Sequence, residues 1–125
     1  MALKAKEALT GYLEPELMEE DGSIDYKKLA QVFTLKIIDI SKAIQKTPRA
    51  LEKNHRTKDI QHNLRKIFYI WVLLRDMLGS KREILPWLKS PNPDFDGAAP
   101  IEMICEGKAD VIIDYLTNIK SGQLS

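Results

Sequence analysis

Apolar residues recur at helical spacing along most of this 125-residue chain, interrupted by Thr, Ser, Gly and Pro where helices start or stop. The longest interval runs from Thr57 to Leu78. Ile60, Leu64, Ile67, Trp71, Leu74 and Leu78 alternate at spacings of four and three, which puts them on one face. Phe68, Ile70 and Val72 widen that face in its C-terminal half. A stripe this wide asks for burial on several sides. Either the core of one chain covers it, or a homodimer interface does, with Ile67, Phe68, Trp71 and Leu74 meeting a second copy. Thr57 is the expected N-cap, Asp59 suits the positive end of the helix, and Gly79 ends it.

Upstream, residues 2–24 open on a weak helical stretch, AKEALTGYL, followed by an acidic loop from Glu14-Pro15 to Asp21-Gly22-Ser23. The loop lacks the ligand spacing of a calcium site and reads as a solvated arm. Asp25 is the expected N-cap of a helix from Tyr26 to Phe33, whose buried face is Leu29, Ala30, Val32 and Phe33. Thr34 is expected to cap a second helix, Leu35 to Ile44. Thr47-Pro48 opens a third, with Thr as cap and Pro in the first turn, running to Asn54.

The second and third helices, short and joined by a tight turn, form the helix-turn-helix pattern. Ile40, Ile44 and Leu51 would lock them together, and Ser41 is small enough for close approach. The candidate DNA-binding residues are Lys46, Thr47, Arg49, Lys53, Asn54 and Arg56. Arg49 can pair with guanine edges or phosphates, while the other cations would mostly meet phosphates. Two positions depart from the motif: Gln45 stands where Gly is frequent in the turn, and Lys46 where an apolar residue is usual. The unit is therefore either a DNA reader with a looser turn or a structural lobe with a solvated basic face.

The net charge is only +1, but its distribution supports the first alternative. Residues 1–26 carry −5, residues 27–66 carry +8, and residues 67–125 carry −2. A basic middle between acidic ends is the layout of a nucleic-acid-binding segment in a nearly neutral protein.

The last third, Ile84 to Gly122, reads as helix, rigid turn, short helix, longer helix. Ser80 is expected to cap the first of these, Lys81 to Lys89. Ser90-Pro91-Asn92-Pro93 cannot continue it, and Asp96-Gly97 is a strong turn dipeptide. Pro100 and Glu102 suit a new first turn, Gly107 stops it, and a final helix spans Ala109 to Lys120 with Gly122 just beyond. Trp87 either packs in the core or buttresses the Pro-Asn-Pro turn against the last helix, through Val111, Ile112, Tyr115 and Leu116.

The Trp-Leu pair, Pro-Asn-Pro, the acidic-Gly turn, Ala-Pro-Ile-Glu, Gly107, the Val-containing helix and the near-terminal Gly together resemble the toxin-binding domain of the Xre/MbcA/ParS antitoxins. The resemblance covers about the last 40 residues, and the preceding half is compatible with that family's Xre-like helix-turn-helix part. It implies an all-α protein with three regions: an arm over 1–24, a helix-turn-helix with a long dimerisation helix over 25–79, and a toxin-binding domain over 80–125. It further implies a homodimer, an operator-DNA partner, and a RES-domain toxin that degrades NAD and whose pocket the antitoxin blocks. Carried onto this sequence, the toxin-binding residues would be Trp87, Asn92, Pro93, Gly97, Pro100, Glu102, Lys120, Gly122, Gln123, Leu124 and Ser125. The alternatives are a stand-alone helix-turn-helix regulator and an interaction module that no longer reads DNA.

Other chemistry finds little support in the sequence. Cys105, the single cysteine, sits among Met103, Ile104 and Ile112 and reads as a small core residue. One cysteine forms no internal disulfide, which suits a reducing cytoplasm. His55 and His62 lack the ligand cluster of a metal site. No Gly-rich phosphate loop, nucleophile elbow or Cys-x-x-Cys is present. No catalytic residue, metal or cofactor is expected. The run Ile67 to Leu74 is too short for a bilayer, which takes about 20 residues, and the first nine residues lack the apolar run of a signal peptide.

Overall fold

The computed structural model describes residues 17–122. These residues are all-helical, as the periodicity predicts. The α-helices are α1 (Tyr26–Phe33), α2 (Ile37–Ala43), α3 (Pro48–Asn54), α4 (Lys58–Leu78), α5 (Lys81–Lys89), α6 (Pro100–Cys105) and α7 (Ala109–Lys120). A single 3₁₀ turn, Pro93–Phe95, lies between α5 and α6. The bridge Met18–Ile24 is the nearest approach to a strand among the described residues.

The helix starts follow their caps. Asp25 accepts from the amides of Lys27 and Lys28, Thr47 from Ala50, and Thr57 from Ile60. Two expected caps are corrected. Thr34 does not open α2 but closes α1. It takes a left-handed φ of 55°, and its N–H reaches the Gln31 carbonyl while that of Leu35 reaches Ala30. That pair of bonds satisfies the orphan carbonyls of α1. Helix α2 therefore starts two residues later than expected, with the Asp39 carboxylate accepting the Lys36 amide at 3.0 Å. Ser80 stands at the N-cap of α5 without a side-chain capping bond, because its hydroxyl donates to Glu83 instead.

Helix α4 runs through the middle. Ile60, Leu64, Ile67, Phe68, Ile70, Trp71, Val72, Leu73 and Leu74 are all buried. Phe33 of α1 meets Trp71 edge-on, with ring centroids 5.2 Å apart. The choice left open for the wide stripe is answered within one chain for these side chains. Ile67, Phe68, Trp71 and Leu74 are at most 5% exposed in the single copy. The expected dimer positions are thus buried within the single copy. One apolar core extends from Leu17 to Leu116, with α4 contributing to it throughout. No gap in that core falls at residues 79–80.

The most extensive helix pairing is α4 with α7. Lys66 meets Asp110 at 3.2 Å, and Lys120 meets Asp76. Both pairs span 44 residues, so the two helices run in the same direction. A parallel pair needs a return connection, which α5, the proline turn and α6 provide.

Gln61 is a polar residue in this core, 6% exposed. Its Oε1 accepts from the Ile24 amide at 2.7 Å, and its Nε2 donates to the carbonyls of Ile24 (3.2 Å) and His55 (2.7 Å). It pins residues 17–25, and the end of α3, to α4. Gln61→Met keeps the bulk and strands those backbone groups. The expected loss is about 2–4 kcal/mol of stability, read as a lower urea midpoint with an unchanged m-value.

Candidate functional site

The described chain presents two chemically different faces. The first is the α2–α3 pair. Ile40, Ile44 and Leu51 are buried in the core to which α4 also contributes, and Ser41 is 1% exposed, as close approach requires. Gln45 ends α2 with a left-handed φ of 60°. This is the conformation for which Gly is usually chosen, and here Gln adopts it, with Lys46 N–H bonded to the Ser41 carbonyl at 2.9 Å.

The six residues expected at DNA are all exposed along this turn and helix, but they do not act alike. Thr47 is committed as the N-cap of α3, accepting from Ala50 at 3.0 Å. Lys46 is ion-paired with Asp59 at 2.9 Å. Arg56 is held by Glu19, with Nη2 to Oε1 at 2.9 Å and Nε to Oε2 at 3.3 Å, and Asp21 lies 3.7 Å away. This pairing pushes the Arg56 guanidinium further up, and the backbone amide of Ser23, followed by its hydroxyl, holds the Asp21 carboxyl below its usual range. Of the six, Arg49, Lys53 and Asn54 remain as exposed polar groups of α3, with Glu52 exposed among them. The arm expected to be merely solvated is thus a carboxylate hook at the C-terminal end of α3. His55 lies beside it, its ring 5.4 Å from that of Tyr26 and its Nε2 4.0 Å from Glu19. Glu19 and Arg56 are 37 residues apart, and no local spacing signals their meeting.

The second face is built by α5, the proline turn and α7. Asn92 organises the turn. Its side chain accepts from the Asp94 amide (2.9 Å), its carbonyl accepts from Phe95 (2.9 Å) and Gly97 (3.0 Å), and its N–H donates to Ala98 (3.1 Å). Asp96 and Gly97 both take positive φ, 55° and 86°, which lets the chain reverse here. Pro93 opens the 3₁₀ turn, and Pro100 is buried at the first position of α6. Glu102 accepts the Ala99 amide at 3.1 Å, closing that helix start. These contacts shape the turn, and Pro93, Gly97 and Glu102 are exposed on it.

The surface itself is aromatic. Trp87 stacks on Tyr115, with centroids 6.4 Å apart and planes 24° apart, and Phe95 meets Tyr115 edge-on at 4.7 Å. The Tyr115 hydroxyl donates to Asp94 at 2.5 Å, and that bond to a carboxylate pushes the phenol above its ordinary range. Trp87 does buttress the turn against the last helix, through Tyr115. Of the other residues expected behind it, Ile112 and Leu116 are buried, whereas Val111 is 46% exposed. Lys120 is held by Asp76 of α4, and Gly122 is exposed. Gln123, Leu124 and Ser125 lie outside the described residues.

Tyr115, Phe95 and Ile119 were not singled out as surface positions from the sequence. The available signal was the spacing of four from Val111 through Tyr115 to Ile119, offset from the buried set Ala109, Ile112 and Leu116.

Between the two faces the α2–α3 turn meets the α6–α7 turn. Gly107 has a φ of +84°, and a Cβ there would lie 3.0 Å from Nε2 of Gln45. A polar cleft of about 310 Å³ opens beside this contact, lined in part by Gln45, Lys46, Asp59, Lys66 and Asp110. Its charged groups are already matched in the pairs Lys46–Asp59 and Lys66–Asp110.

Residues 73–122 match the antitoxin Xre/MbcA/ParS C-terminal toxin-binding domain. The match covers 50 of the 125 residues and is a likeness of this part of the chain to that domain. The match begins in the last turns of α4 and includes all of α5 to α7, so it contains the whole second face. No curated protein and no solved structure matches the chain. No helix among the described residues is long and apolar enough to cross a membrane.

Cys105 lies at the end of α6. Burial, and secondarily the Asp39 carboxylate, push its thiol up to about 11. At pH 8 only about one molecule in a thousand then carries the thiolate. Alkylation of the native protein by iodoacetamide at pH 8 should be slower than that of free cysteine by at least tenfold, and should reach the free-thiol rate on unfolding in urea.

Proposed function

We propose that this protein is the antitoxin of a type II toxin–antitoxin pair, neutralising a RES-domain toxin that degrades NAD by covering that enzyme's active site. The observation that carries this reading is the match of residues 73–122 to the antitoxin toxin-binding domain, on a framework whose second face is aromatic and partly open. The chain's own role is binding and not catalysis, and its setting is cytoplasmic. Inhibition is then competition: a folded scaffold presents α7, with residues 123–125 following it, at the mouth of a cofactor pocket. Most of the affinity comes from the folded face, and Gln123, Leu124 and Ser125 contribute to obstruction.

The proposal extends to DNA. The +8 charge of residues 27–66 and the exposed side chains of α3 support operator binding by a homodimer, which represses the operon. Arg49, Lys53 and Asn54 face the groove. Lys46 and Arg56 exchange their carboxylate partners for phosphate at a cost. A second reading, an interaction module that no longer reads DNA, draws on those two ion pairs, since they neutralise part of the basic surface.

Co-expression with the adjacent reading frame tests the antitoxin role. The neighbour alone should stop growth and collapse cellular NAD, and this chain should restore both. An innocuous neighbour would remove the reading.

DNA binding has its own test, on the fragment upstream of the gene. Arg49→Ala should weaken binding at least tenfold. Glu19→Gln, which lifts the hook's main charge from Arg56, should tighten it and steepen the log–log salt slope by about 0.9, one further phosphate. A Glu19→Gln variant indistinguishable from wild type would assign Arg56 no DNA contact.

A further inference from the structure

Large apolar side chains that stay exposed in a folded chain mark interaction surfaces when they cluster. Ile38, Val111 and Ile119 are the exposed large hydrophobics among the described residues. Two of the three belong to α7, and they flank Tyr115 at spacings of four. Val111, Tyr115 and Ile119 therefore form one stripe, climbing about 12 Å along the helix. At Tyr115 the stripe joins Phe95 and Trp87, which are half-buried and in ring contact with it. The core does not need this stripe, because α7 already buries Ala109, Ile112 and Leu116.

The charges from the proline turn to the end of α7 are mostly acidic. From Ser90 to Gly122 there are six carboxylates and two lysines, a net of −4. Lys120 is bound to Asp76, and Lys108 lies 3.6 Å from Glu106. Asp96 and Asp114 are exposed and Asp94 holds the Tyr115 hydroxyl, all without a cationic partner among the described residues. The basic charge of the chain lies on the opposite lobe, in residues 27–66.

We infer that the stripe Val111–Tyr115–Ile119, backed by Phe95 and Trp87 and rimmed by Asp94, Asp96 and Asp114, is the docking surface for the toxin. The toxin surface that fits it is an apolar cleft edged by lysine or arginine. This rests on the antitoxin reading above and adds the chemistry of the contact. Apolar burial along the stripe sets how long the complex lasts, and the carboxylate rim sets how fast it forms. The same rim repels nucleic acid, which keeps this face free while the other lobe holds DNA.

The test measures association and dissociation of the full chain with the RES-domain protein encoded beside it, by surface plasmon resonance. Val111→Ser/Ile119→Ser alters side chains outside the buried core and should weaken affinity at least 100-fold, mainly through faster dissociation, with the helical circular dichroism unchanged. Asp96→Asn/Asp114→Asn should slow association about tenfold at 50 mM salt and converge on wild type at 500 mM. Asparagine tolerates the left-handed backbone at 96, so folding is preserved. If wild type fails to bind, the antitoxin reading falls and the proposal with it. If wild type binds but the serine variant binds within twofold, the reading stands and this surface is wrong. Faster association of the asparagine variant would overturn the basic-partner assignment. Light scattering covers the remaining occupant: a wild-type dimer that the serine variant converts to monomer, with toxin affinity unchanged, would assign the stripe to a second copy.

Discussion

The enclosure of α4 is the constraint on which everything else depends. A helix whose C-terminal half is apolar nearly all the way round is stable only when neighbours cover it on several sides. Helix α1 supplies Phe33 against Trp71, and α7 lies along α4 from Lys66 to Asp76. The family match begins inside α4, at residue 73, which agrees with a helix shared by two parts and not with a linker between them.

The parallel course of α4 and α7 follows from the proline turn. The chain leaves α4 at Gly79, returns through α5, reverses within Asn92 to Ala98, and has only the six-residue α6 before α7 begins. Each reversal uses backbone that few residues adopt, which is why Asp96 and Gly97 stand side by side at positive φ. The ion pairs Lys66–Asp110 and Lys120–Asp76 then mark the two ends of the alignment. They are largely solvated, so they select register more than they add stability.

Much of this fold could be read from local signals. The limits of α1, α3, α4, α5 and α7 follow from Asp25, Thr47-Pro48, Thr57, Gly79 and Gly107 because each acts on backbone groups within four residues. Thr34 misled for a physical reason. A threonine between two helices can serve the end of one or the start of the other, and here the orphan carbonyls of α1 took it. The breadth of the apolar stripe on α4 was visible, but its occupant was not, since a core and a dimer interface ask for the same residues. Long-range meetings were illegible. Glu19 reaches Arg56 and Gln61 reaches Ile24 across 37 residues, and nothing in either segment names the other. The exposure of Val111 was legible only through its offset from Ala109, Ile112 and Leu116, since valine by itself does not say whether it faces in or out.

Gln45 and Gly107 close two turns that face each other, and the missing side chain of one leaves room for the amide of the other. The two positions are nevertheless unequal partners. The amide end of Gln45 can swing aside, whereas Gly107 holds a backbone angle that L side chains rarely adopt, so any other residue at 107 is strained before it meets its neighbour. Change enters this junction through 45 and is barred at 107.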